Sequence, residues 1–268
     1  MLTTVTLNAA VDVTYTAENF TLDKVNRALA KRELPGGKGI NVARIAHTLG
    51  TAVQATGFAA GQNGKFIQDK LTDEGIANAF LEVAGESRRC LAIIDPAANT
   101  QTELLETGPT VSAAAFAAFR EHLRAITAES QVVVFSGSLP GGLPSDAYAR
   151  LLEELPNKKL ILDTSGEALK AGIKARPFMV KPNEDELAAF FGRPVRELPE
   201  VLAAGEQLLS FGIELVVISL GSRGAVAVSA KERYLAEPPK LEPVSTVGCG
   251  DSLVAGMAVC LLAGAAQT

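Results

Sequence analysis

Gly248-Cys249-Gly250-Asp251 combines two glycines and a carboxylate at the start of an apolar helix pattern, Leu253 to Leu262. The glycines let a ligand approach the backbone closely. A helix start also leaves amide N–H groups without partners, and the helix dipole favours an anion there. A carboxylate in that place would repel the anion. The conflict resolves if the N–H groups of Gly248, Cys249 and Gly250 hold a phosphate while Asp251 takes a proton from a hydroxyl. The blander reading is an aspartate that merely starts a helix. Asp251 alone does not decide between them.

A second glycine-rich stretch shifts the balance. Pro35-Gly36-Gly37-Lys38-Gly39-Ile40-Asn41 precedes a helix pattern with Val42, Ile45, Ala46 and Leu49 on one face. It lacks the Gly-x-x-x-x-Gly-Lys-Ser/Thr spacing of a P-loop and the Gly-x-Gly-x-x-Gly of a dinucleotide fold.

Together the two stretches resemble the paired signatures of the PfkB/ribokinase family of sugar kinases, nearest the 1-phosphofructokinase and tagatose-6-phosphate kinase branch. The order of the other motifs is similar too. Thr6-Leu7-Asn8-Ala9-Ala10-Val11-Asp12 resembles the opening strand with its sugar-binding aspartate, with Ala9 where that branch usually has proline. Ser87-Arg88-Arg89-Cys90 and Gln101 to Pro109 resemble lid strands, and Ser136-Gly137-Ser138-Leu139-Pro140 a substrate-side loop. Asn183-Glu184-Asp185-Glu186 matches the Asn-x-x-Glu motif, and Ser219-Leu220-Gly221-Ser222-Arg223-Gly224 the nucleotide-side turn.

The resemblance implies ATP and Mg²⁺ as cofactors, with Asn183 and Glu186 organising the metal, often through water. It implies nucleotide contacts from Lys181, Ser219, Gly221 and Gly224. On the sugar side it points to Asp12, Gly37, Lys38, Asn41 and Ser138. A sugar phosphate needs a cation as well, and the planar guanidinium of Arg88 is the first candidate, ahead of Lys38 and Arg27. Taken without the resemblance, Asp12 reads as a turn carboxylate, Asn183 and Glu186 as a helix start after Pro182, and Gly221 and Gly224 as turn glycines. The expected reaction is phosphorylation of a ketohexose monophosphate, fructose 1-phosphate first. Tagatose 6-phosphate and fructose 6-phosphate are the alternatives, and a silent sugar-phosphate sensor is the rival from another class.

These residues need a scaffold. Strand-like runs at Leu2–Leu7, Val53–Phe58, Val132–Phe135, Leu160–Leu162, Phe178–Val180 and Leu215–Ile218 alternate with helical patterns. Helices are expected near Ile40–Leu49, Lys65–Glu74, Ala113–Ile126 behind the N-cap Ser112, Ser145–Glu154, Glu184–Phe191 and Glu200–Phe211. The alternation predicts an α/β fold, a mostly parallel sheet between two helix layers. The segments 13–34 and 88–107 break the rhythm. They suit a small β-sheet lid on a single ribokinase-like domain, and the resemblance adds that such lids often mediate homodimers. In the resembled family further helices follow that of Asp251 and help cover an adenine ring, and this chain, ending at Thr268, is expected to lack them.

Composition narrows the classes. The chain has 268 residues, 47% of them hydrophobic, and a net charge of −5, enough for one large core and without a basic run for nucleic acid or a membrane surface. The longest apolar run, Leu253 to Ala266, falls short of the ~20 residues of a membrane span. The three cysteines have no metal-ligand spacing and cannot all pair, which fits a reducing cytoplasm. His47 and His122 have no Cys or His neighbour in sequence that would make a zinc site.

Overall fold

The computed structural model describes residues 1–239 and 248–264. Ser245, Thr246 and Val247, which immediately precede the glycine-rich helix start in the sequence, lie outside the described residues. The elements in chain order begin with β1 (Leu2–Thr6), β2 (Ala10–Thr16), β3 (Ala30–Gly36), α1 (Lys38–Thr48), β4 (Val53–Ala60), α2 (Gly61–Asp73) and β5 (Ala77–Val83). Next come β6 (Arg88–Asp95), β7 (Thr100–Leu105), α3 (Ala113–Ile126), β8 (Val132–Ser136), α4 (Ala147–Glu153), β9 (Lys159–Asp163) and α5 (Gly166–Lys174). The chain continues through β10 (Met179–Val180), α6 (Glu184–Phe191), α7 (Leu198–Leu209), β11 (Leu215–Ser219), β12 (Ala225–Ser229), β13 (Arg233–Ala236) and α8 (Cys249–Leu262).

Nine strands form one sheet in the order β13-β12-β11-β10-β9-β8-β1-β4-β5, parallel from β11 to β5. The two strands at the other edge, β12 and β13, are antiparallel. Strands such as β8, Val-Val-Val-Phe-Ser, are buried throughout, because helices cover both faces. Alternate side chains serve opposite cores. Val133 and Phe135 pack with Phe119, Tyr148 and Leu169 of α3, α4 and α5. Val132 and Val134 pack with Ile40, Ile67 and Val254 of α1, α2 and α8. No helix among the described residues is long and apolar enough to cross a membrane.

Local chemistry explains several boundaries. Ser112 caps α3 by accepting from the Ala115 amide at 3.1 Å. Asn183 and Glu186 cap α6 reciprocally, the Asn183 side chain on the Glu186 amide and the Glu186 carboxylate on the Asn183 amide, at 2.8 and 2.9 Å. A smaller sheet, β3-β2-β6-β7, stands on the larger one, with Pro35 in its edge strand β3 where no ladder donor is needed.

Four elements escape the periodicity reading: β5, α5, β12 and β13. Strand β5 is half-exposed and its pattern, Ala-Asn-Ala-Phe-Leu-Glu-Val, alternates only in part. Helix α5 is nine residues long with two glycines, too short for a helical period to stand out. The first strand also ends sooner than its apolar run. Asp12 is not a turn residue after β1; it lies inside β2, paired with Leu34 of β3 and Cys90 of β6.

Candidate active site

Parallel strands deliver their last residues to one edge, where the crossovers leave a crevice. Ser136 and Asp163 end β8 and β9, Lys181 follows β10, and Ser219 ends β11. Helix α8 starts above this edge. Gly248 is its N-cap in a left-handed conformation, φ 82°, and no side chain among the described residues caps the helix. The first intrahelical bond seen from this cap is Ser252 N–H to Gly248 O at 2.8 Å. The amides of Cys249, Gly250 and Asp251 precede it and have no partner among the described residues, the arrangement that suits an anion.

Asp251 is 6% exposed and accepts a 2.8 Å hydrogen bond from Asn41 Nδ2 on α1. Burial raises its pKa to about 6, with Asp163 adding to the rise while Asn41, Lys38 and Lys181 oppose it. Asp12 is likewise raised to about 6, chiefly by burial, with Arg88 pulling down and Asp251 pushing up. Burial is the main cause at both carboxylates, because it disfavours the charged form. A side chain at Gly36 would overlap the Asp12 carboxylate, so the first glycine of the loop makes room for that group.

Asp163 is the site residue that motif reading passes over. It is fully buried, accepts from Ser136 Oγ at 3.0 Å, and draws in two lysines: Lys181 Nζ at 3.2 Å and Lys38 Nζ at 3.7 Å. The Lys181 contact is an ion pair outside hydrogen-bond geometry, which leaves Asp163 Oδ1 without a hydrogen bond. Burial alone would lower the Lys38 pKa. Asp163, Glu186 and Asp251 outweigh burial, so the value is raised and Lys38 stays cationic. A signal for Asp163 was present: a carboxylate closing the apolar run Leu160-Ile161-Leu162.

The predicted residues therefore fall into groups. Asn41 lies against Asp251. Lys38, placed on the sugar side by motif, has its ammonium beside Asp163. Lys181 is buried, and its Nζ lies 3.4 Å from where a Gly250 Cβ would stand. Ser138 is exposed, in a loop held by Tyr148 Oη and Thr164 Oγ1, which both donate to Gly137 O at 3.1 and 2.8 Å. Arg88 donates from Nε to Asn8 O at 3.2 Å, while Arg89 turns the other way to Asn63. Gly37 is the N-cap of α1. Arg27 sits in the exposed connection between β2 and β3, with no hydrogen bond or ion pair among the described residues.

A cleft of about 400 Å³ is lined by Asn183, Ser219, Gly221, Gly224, Cys249 and Gly250. A larger cleft, about 940 Å³, opens at the opposite edge of the sheet among Ser130, Lys159, Phe178 and Glu214, and holds none of these residues. The smaller cleft shares Cys249 and Gly250 with the start of α8, whereas Asp251, Asp163, Lys38 and Lys181 are not among its lining residues.

Such an edge is that of a phosphotransferase with an alcohol acceptor, a sugar kinase. The chain belongs to the pfkB family of carbohydrate kinases, whose model matches residues 4–266. It is similar to the tetrameric inhibited form of phosphofructokinase-2 from Escherichia coli, at 31% identity and TM-score 0.93, over 98% of this chain and 88% of that one. The same enzyme in complex with fructose-6-phosphate matches at 29% identity and TM-score 0.91, over 98% and 87%. A possible 1-phosphofructokinase from Thermotoga maritima matches at 27% identity and TM-score 0.90, over 100% and 87%.

Proposed function

We propose that the protein transfers the γ-phosphoryl group of ATP to the free hydroxymethyl group of a ketohexose monophosphate, fructose 1-phosphate first, giving the 1,6-bisphosphate. The observation that carries this is Asp251, buried, oriented by Asn41 and set among open helix amides. The acceptor oxygen forms a bond to the γ-phosphorus as the bond to the ADP oxygen breaks, and Asp251 takes the hydroxyl proton. Amides of Cys249 and Gly250, with Lys181 and Lys38, compensate charge on the phosphoryl oxygens.

The residues present suit Mg²⁺, a hard cation that keeps waters and shares phosphate oxygens. Glu186 commits only Oε2 to its cap, and Asp163 Oδ1 is a buried oxygen without a hydrogen bond. Asn183 and Glu186 would hold the ion largely through water, and it would neutralise nucleotide phosphate charge. Ser219, Gly221 and Gly224 would face the nucleotide. Asp12 would take sugar hydroxyls, and Arg88 with Ser138 the phosphate already on the sugar.

Fructose 6-phosphate is the second reading, favoured by the likeness to phosphofructokinase-2. A coupled assay with MgATP and fructose 1-phosphate, fructose 6-phosphate, tagatose 6-phosphate and the free sugars tests the reading. Highest kcat/KM on fructose 1-phosphate is expected. Turnover of free sugars alone, or none at all, would overturn it.

The smaller sheet would form a cytoplasmic homodimer. Leu22, Val25 and Leu29 in its loop are 81%, 84% and 67% exposed, and Leu104 and Leu105 on edge strand β7 are 65% and 58% exposed. Sedimentation at micromolar concentration should show a dimer; a monomer there sinks this part of the reading.

A further inference from the structure

One buried amide ties the two sheets together, and the transfer chemistry does not use it. Asn8 stands between β1 and β2 and is 5% exposed. Its Nδ2 donates to Thr107 O at 3.1 Å, on the chain returning from β7 to α3. It also donates to Ser138 Oγ at 3.3 Å. The Asn8 main-chain carbonyl accepts from Arg88 Nε at 3.2 Å. Its Oδ1 is buried without a hydrogen bond and packs on Gly108, where a side chain would overlap it.

We infer that Asn8 is the positioning residue for the phosphate end of the acceptor sugar, an inference that rests on the sugar-phosphate reading above. The argument is one of hydrogen-bond polarity. Ser138 Oγ accepts from Asn8, so its own proton is left to donate, and Ser138 is exposed. A phosphate oxygen is an acceptor and matches it. With Nε committed to Asn8 O, the plane of the Arg88 guanidinium is set, and Nη2 has no partner among the described residues. Both protons of Nδ2 are used, so the Asn8 side chain ties the returning chain to the Ser138 loop, while the main-chain carbonyl of the same residue sets Arg88. One residue thereby sets two phosphate-facing groups that come from different sheets.

Asn8→Asp removes both donations and lets Ser138 turn its proton inward to the new carboxylate. That carboxylate would also compete for Arg88. The expected result is a rise of about 10-fold or more in KM for the sugar phosphate, with KM for ATP changed less than about 3-fold. A merely structural role would raise both together. Asn8→Ala buries no charge and keeps the test open should the aspartate variant not fold. Its effect should be strongly non-additive with Ser138→Ala in a double-mutant cycle. Equal rises in both KM values, or additive effects in the cycle, overturn the inference. Wild-type enzyme inactive on every sugar phosphate would instead remove the functional reading, whatever the variants do.

Discussion

Asp251→Asn lowers kcat by about 10²- to 10⁴-fold in the expected result, while sugar-phosphate binding survives. Asparagine keeps the shape and a contact to Asn41 but cannot take the hydroxyl proton. The wild-type rate should fall on the acid side with an apparent midpoint near pH 6, since Asp251 must be ionised and burial holds its pKa at about 6. Asp12, raised to the same region, contributes to that limb and leaves part of it in the variant. Stability should move the opposite way to activity. The folded pKa lies above the ordinary 3.8, so the fold favours the protonated form. That stabilisation is complete below pH about 4 and is lost as pH rises through about 6. Removing the ionisable group should therefore make the variant more stable than wild type at pH 8, by at most ~3 kcal/mol. The gain should vanish toward pH 4. Stopped assays and thermal melts across pH check both halves. Near-normal turnover, or a melting difference independent of pH, would remove Asp251 as the base.

Arg88→Ala should raise the KM for the sugar phosphate by about 10- to 150-fold, the loss of a charge-assisted contact of roughly 1.5–3 kcal/mol. KM for ATP should change little. Arg88 stands at the smaller sheet, its Nε on Asn8 O, whereas Ser219, Gly221 and Gly224 line a separate cleft by α8. The guanidinium also lowers the Asp12 pKa, so its loss should move the acid limb to higher pH. Steady-state kinetics with each substrate varied in turn separate the two sides. Collapse of ATP binding with sugar-phosphate binding retained would mean that the two sides are assigned in reverse.

What the chain declares locally is declared well. The Ser112 cap and the bounds of α3 and α6 follow from short-range signals, and the helix start after Pro182 turns out to be closed by a reciprocal cap of Asn183 and Glu186. The α/β alternation and the placing of Asp251 at a helix start are equally legible, because 3.6- and 2-residue periods and glycine punctuation are short-range signals. Periodicity fails for α5 and β5, where the stretch is too short or too exposed to show a period.

The site itself is a long-range object. Asn41 reaches Asp251 across 210 residues because α1 and α8 pack side by side on one face of the sheet. Lys38, Asp163 and Lys181 meet because parallel register sets Phe135 beside Leu162 and Leu162 beside Val180, bringing the ends of β8, β9 and β10 to one edge. Residue types and spacing in the chain determined that a carboxylate at a glycine-rich helix start, and lysines and arginines near other glycine-rich or strand motifs, were available. Only the tertiary structure decided that Lys38 turns to Asp163, that Asp12 lies within a strand, and that burial brings Asp12 and Asp251 into the same pH range. Those outcomes depend on desolvation and on charges brought close by the fold, and neither exists along an extended chain.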